Sequence, residues 1–184
     1  MKLETMTPKL TIAQALAKGS CPVCGVLKQF LDDLVEKLGP DQATQVCRTH
    51  TWALAKAAPA ETAVSAFLQT IEAHLCDEPC ACGVCVRMQK EEGARLDELA
   101  REMERSRMLE WFERHGSLCL EHAAKLRKHM PEPLRPLVDQ IVTRNVAELQ
   151  QQLKAYREQV REGHRTGGGL LGRAAEFLAG QRGL

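Results

Sequence analysis

The sequence predicts an all-α protein, and three observations carry that expectation. Aromatic residues make up only 4% of the chain, too few to fill a sandwich or barrel, so the core has to come from Leu, Val, Ala and Met. Apolar residues recur at three- and four-residue steps, the period of one helix face. Nowhere does a β-branched run alternate with polar residues as a strand would.

The elements follow in order. A short helix is expected over 9–18. The next spans 24–38 and stops at Gly39-Pro40, because the residue before proline is pushed out of the helical region. Helices over 48–57 and 60–75 come next, the second with Val64, Phe67, Leu68, Ile71 and Leu75 as its apolar pattern. One long helix is expected over 84–114, weakest at Glu91-Glu92-Gly93. Then come 120–129 and a long 134–161, where Val138, Ile141, Val142, Leu149, Leu153, Tyr156 and Val160 form a packing stripe. Gly163–Gly169 reads as a flexible linker. Leu170–Gly180 (LLGRAAEFLAG) is a short amphipathic helix, either a brace docked on the core or a segment that engages a partner.

The cysteines give the chain its organisation. Cys21-Pro-Val-Cys24 is followed by Cys47-Arg-Thr-His50, and Cys82-Gly-Val-Cys85 by Cys119-Leu-Glu-His122. Leu54 and Leu126 each lie seven residues after their Cys, and Pro59 and Pro131 each lie twelve after. This predicts an internal duplication, roughly 20–75 and 81–150. The second copy has 33 residues between its half-sites against 22 in the first. The eleven extra residues are about three helical turns, so they can lengthen a helix without rotating its face much. The expected domains are an N-terminal helix (1–19), a first zinc-binding helical repeat (20–75), a second with long helices (76–162), a Gly-rich linker (163–169) and the C-terminal amphipathic helix (170–184).

Zinc takes four ligands in a tetrahedron, drawn from thiolate and imidazole. A CxxC turn folds two sulfurs to one side, and Gly25 gives the first pair the look of a zinc knuckle, its backbone amides turned towards sulfur. Val86 stands in the corresponding place after the second pair. On a helix, residues i and i+3 face the same way, so each CxxH supplies the other half of a site. A Cys opening its helix also gains from the positive end of the macrodipole. Sequence order pairs Cys21, Cys24, Cys47 and His50 on one ion, and Cys82, Cys85, Cys119 and His122 on the other. Cys76 and Cys80 are left over, as alternative ligands in place of Cys82 or Cys85 or as a separate redox pair. The rival cofactor is an iron–sulfur cluster, since cysteine-dense runs also ligate iron. His74 near Cys76 is a further candidate ligand; His115, His129 and His164 read as solvated.

Several function classes are excluded or disfavoured. No GxSxG, Walker loop, GxGxxG or HExxH occurs, and a site closed by four protein ligands is structural rather than catalytic. C-type haem attachment needs His directly after the second Cys, where Gly25 and Val86 stand. Net charge is +1, without the dense basic stripe that binding a phosphate backbone requires; Lys125–Arg135 is the best local candidate and reads equally as a solvated helix end. Residues 1–15 lack the apolar segment of a signal peptide, and no window approaches a membrane span. A reducing cytoplasm is therefore expected, where eight cysteines hold metal rather than disulfides.

The motifs CPVC at 21–24, CRTHTWAL from Cys47, GSLCLEH at 116–122 and GRAAEFLAG at 172–180 resemble those of a family of cysteine-rich helical bacterial proteins with a domain of unknown function. That family carries CPxC, GxCxxHxW, a second CxxC, GLCxxH and a terminal helix with an RAxEFLxG-like signature. The resemblance covers most of 20–180. It departs at Ser117-Leu118, with one extra residue before Cys119, and in the Cys76–Cys80 segment. It implies a helical, cytoplasmic protein and no known activity. The reading from residues is a non-enzymatic zinc-binding module, structural, adaptor or regulatory, acting through protein partners. The alternative is a redox-active or iron–sulfur protein that transfers electrons or senses oxidant. In the first reading the metals serve folding, and 20–75, with the smaller core, depends on its metal more.

Overall fold

The computed structural model describes residues 11–16, 20–40, 45–75, 82–162 and 169–180. Among these residues there are nine α-helices and no strand, the expected all-α class. Cys76, Cys80, His164 and the linker residues 163–168 lie outside the described residues.

The half-sites sit where helices begin. Pro22 opens α2 (Pro22–Lys37), following α1 (Ile12–Leu16); its fixed φ is already helical, and its missing N–H would have had no partner there. Gly25 N–H donates to the Cys21 carbonyl at 3.1 Å. The first CxxC is thus a helical turn, and Gly25 is spent on the helix ladder rather than on a sulfur. Cys47 and Cys119 are the N-caps of α3 (Arg48–Ala57) and α7 (Leu120–His129). Both these helices have ten residues and leave through an extended residue, Ala58 at ψ 152° and Met130 at ψ 142°. The following Pro59 and Pro131 demand that conformation.

α4 (Ala60–Leu75) buries a narrower face than expected. Ala63, Ala66 and Ala73 are buried with Thr62, whose hydroxyl donates to the Leu38 carbonyl at 2.8 Å. Val64, Leu68 and Ile71 stay more than half exposed. The small alanines let the helix lie close to its neighbour, so the larger apolar side chains are the ones left outside.

The expected single helix over 84–114 is two: α5 (Gly83–Met103) and α6 (Ser106–His115). The break falls at Glu104-Arg105, where the N–H groups reach back only three residues, to Arg101 and Glu102. Gly93 stays helical. Leu96, Leu99 and Met103 form one buried face, and Phe112 is fully buried as well. Nine residues separate Met103 from Phe112, about half a revolution out of phase on a straight helix. One unbroken helix would have put Phe112 opposite Met103; the break lets both go inside.

α8 (Arg135–Arg161) follows a short 3-10 turn at Glu132–Leu134. Val138 and Ile141 are buried, but the expected stripe fades outward, and Val160 is exposed. α9 (Gly169–Ala179) packs on α7 and α8 and ends at Gly180. Gly180 has φ +74°, the left-handed cap that glycine adopts at least cost.

The chain forms two compact units that differ from the expected sequential halves. One is built on Val26–Ala94, the other on Ile12–Gly25 with Arg95–Arg182. The first has Phe30, Leu34, Val35 and Leu54 in its core, and the second has Leu99, Met103, Phe112, Leu118, Leu126 and Ile141.

Candidate metal centres

All eight expected ligands fall into two clusters, but not in the expected pairs. Cluster I joins Cys21 and Cys24, at the start of α2, to Cys119 and His122, at the start of α7. Cluster II joins Cys47 and His50, at the start of α3, to Cys82 and Cys85, at the start of α5. Each CxxC therefore meets the CxxH of the other proposed repeat, which corrects the pairing by sequence order. The local picture, CxxC helix start against CxxH helix start, holds in both.

In each cluster the four ligand atoms lie within 4.8 Å of one another. In cluster I, His122 Nδ1 is 3.1 Å from Cys119 Sγ, 3.2 Å from Cys24 Sγ and 3.5 Å from Cys21 Sγ, and Cys24 and Cys119 are 3.7 Å apart. In cluster II, His50 Nδ1 is 3.3 Å from Cys47 and 3.4 Å from both Cys82 and Cys85, with Cys47 and Cys85 at 3.5 Å. A tetrahedral ion with metal–sulfur bonds of about 2.3 Å and metal–nitrogen bonds of about 2.0 Å puts its sulfurs about 3.8 Å apart and sulfur from nitrogen about 3.5 Å. The four distances given for each cluster fall at or slightly below those edges and the other sulfur pairs lie within 4.8 Å, so each cluster could hold one ion.

The clusters differ in their surroundings. All four cluster I ligands are buried, and the His122 backbone N–H donates to Cys119 Sγ at 3.4 Å. In cluster II, Cys47 and Cys85 are partly exposed, and the Cys47 sulfur caps no backbone N–H. His50 Nε2 is buried without a hydrogen-bond partner.

Crowded sulfurs share protons unevenly. In cluster I the hydrogen bonds from Cys21 and Cys24 hold the Cys119 thiol far below its usual range, against the effect of burial, while contact with Cys119 and Cys21 drives Cys24 far above it. Burial opposes charge on His122, but hydrogen bonds to Cys119 and Cys21 win and push it up to about 10. In cluster II, burial and then its sulfur neighbours push Cys85 up to about 12. Burial also works against the Cys82 thiolate, yet hydrogen bonds from the backbone of Cys47 and Cys85 lower it. A divalent cation among these atoms would replace the shared protons and favour every ligand in its deprotonated form.

A cavity of about 360 Å³ lies beside cluster I, and Cys21, Cys24 and Cys119 line it. Asn145, Glu148, Leu149 and Gln152 form one face of α8 along it, and Arg173, Glu176 and Phe177 come from α9. The GRAAEFLAG segment thus has a place: Gly180 sets its backbone beside the cluster, a Cβ there lying 3.8 Å from Cys24 Sγ. Gly116, in the GSLC segment, is fixed by Phe112, which leaves no room for a Cβ. The sequence reading missed the α8 residues of the cavity. One signal was present: Asn145 interrupts the apolar stripe of α8, and its Nδ2 is buried without a partner.

None of the other described histidines joins a cluster. His74 is exposed, His115 packs tilted against Trp111, ring centroids 5.6 Å apart, and His129 Nδ1 contacts Asp97 Oδ1 at 2.7 Å.

Fold and clusters together define the class: an all-α protein with two Cys3His centres able to hold metal. No protein family, curated protein or solved structure matches the chain.

Proposed function

We propose that the protein is a non-enzymatic zinc module of a reducing cytoplasm, related to the cysteine-rich bacterial family it resembles, in which two ions fix a helical scaffold that binds protein partners. The observation that carries this reading is the ligand geometry: two sets of three cysteine sulfurs and one imidazole, the four donor atoms of each set within 4.8 Å of one another. An iron–sulfur cluster spreads its ligands over several irons, so four donor atoms within 4.8 Å favour a single ion. With four protein ligands each, the centres leave no position for water or substrate.

Partner binding draws support from the Val26–Ala94 unit. Val64, Leu68 and Ile71 lie on one exposed side of α4, and Trp52 on α3 is 77% exposed; an exposed tryptophan is a typical anchor of protein contacts, and apolar side chains grouped on one helix face extend such a surface. No helix among the described residues is long and apolar enough to cross a membrane. The exchanged pairing also suits an internal duplication whose two copies trade half-sites. Elemental analysis, native mass spectrometry and a visible spectrum of protein purified without added metal test the reading together. The expected result is two zinc ions per chain and no colour. A brown protein, or a folded chain without metal, would overturn it.

A further inference from the structure

We propose that cluster II is a hydroperoxide-sensitive switch, in which Cys47 and Cys85 close to a disulfide and release the metal while cluster I keeps its own. This rests on the reading that both clusters hold zinc and adds regulation to one of them.

Three features of cluster II point there, the first two in direct contrast to cluster I. The first is access: Cys47 and Cys85 are the two cluster cysteines that are not buried. The cavity beside cluster I leaves its three cysteines at 7% exposure or less. The second is sulfur reactivity. Cys119 Sγ accepts a backbone N–H, which draws electron density from a thiolate. Cys47, the corresponding N-cap of α3, accepts none and stays the stronger nucleophile. The third is metal retention. A ligating histidine ordinarily anchors its second nitrogen on an acceptor, and losing that anchor weakens metal binding about 10- to 100-fold; His50 Nε2 has no such partner.

The chemistry balances. One thiolate attacks the terminal oxygen of the hydroperoxide, giving a sulfenic acid and an alcohol, or water from hydrogen peroxide. The second thiolate, 3.5 Å away, displaces that oxygen as water and forms the S–S bond. Two electrons pass from the two sulfurs to the peroxide, and two protons are taken up. Two of four ligands are then gone, and Cys82 with His50 alone cannot hold the ion. A thiol reductant and added zinc restore the site.

The test uses the full chain with Cys76→Ser and Cys80→Ser, which removes the two thiols outside the clusters. Native mass spectrometry before oxidation establishes two bound ions; finding none would refute the zinc reading itself. Hydrogen peroxide is then titrated against a chromophoric zinc chelator, and the product is peptide-mapped. The expected result is one zinc released per chain with the first equivalent of peroxide, a Cys47–Cys85 disulfide, the second zinc retained, and reversal by dithiothreitol with zinc. Two bound ions followed by simultaneous loss, by loss from cluster I first, or by a disulfide between other residues would overturn the switch and leave the zinc reading standing. Mapping of this otherwise unaltered protein does not depend on whether variants of Cys47 or Cys85 fold.

Discussion

A cation entering cluster I has to displace protons from particular atoms. With His122 raised to about 10 and Cys24 raised far above an ordinary thiol, both are protonated at neutral pH in the metal-free fold, whereas Cys119 is already a thiolate. Metal binding at cluster I should therefore release at least the His122 and Cys24 protons, and affinity should fall about tenfold per proton for each unit of pH lost. Calorimetry in buffers of different ionisation enthalpy measures this directly; metal binding with no proton release would contradict it. Without metal the sign reverses for His122. Its raised pKa stabilises the fold fully below its ordinary value of 6.5 and is lost as pH climbs through about 10. At this scale the sequence was informative: the eight side chains that cluster were legible because CxxC and CxxH each place two donors on one helical turn. Gly25 was misread because its place after Cys24 suits a knuckle and a helix equally.

Whole elements were legible where end signals were strong. α3 and α7 lie where expected because a Cys cap and a following proline bound each of them. The sequence points to one long helix over 84–114 with Glu91-Glu92-Gly93 as its weakest stretch, whereas the break is set by the phase between Met103 and Phe112. In α4 size decides instead of hydrophobicity: the alanines Ala63, Ala66 and Ala73 face the neighbour, while the bulky Val64, Leu68 and Ile71 stay outside. α9 carries a prediction of its own. It buries only Ala174, so its removal should leave the rest folded, yet it walls the cavity beside cluster I. A chain ending at Glu162 should keep the helicity of its remaining helices and, with zinc in the clusters as proposed, lose it from cluster I to a chelator several-fold faster, with cluster II unchanged. The two tryptophans report separately, Trp111 in the Arg95–Arg182 unit and Trp52 in the Val26–Ala94 unit. Equal extraction rates with and without α9 would show that the helix does not guard the cluster.

For the whole molecule, the decisive fact is which distant residues each cluster ties together, and sequence order could not supply it. Spacing identifies half-sites but is silent on their partners, because either pairing satisfies the same tetrahedron. Cluster I links residues 95 and 101 positions apart, and cluster II links residues 32 to 38 apart. A cross-link constrains the unfolded chain more as its loop grows, and nearly threefold in loop length is worth about 1 kcal/mol. With a structural ion in each cluster as proposed, breaking a cluster would also remove that ion's contribution, on the order of 10 kcal/mol in small zinc peptides, and the exchanged pairing changes where that loss falls. Cys24→Ser should weaken the Arg95–Arg182 unit and Cys47→Ser the Val26–Ala94 unit, although sequence order places both residues in one site. Loop length and complete burial both make cluster I the stronger tie. Cys24→Ser should therefore lower Tm more than Cys47→Ser, by about 2–4 °C for each kcal/mol of difference. Thermal circular dichroism on each variant, with one remaining zinc verified by mass spectrometry, gives the comparison. Equal losses, or a larger loss for Cys47→Ser, would mean that the long-range tie through cluster I is not what holds the chain together.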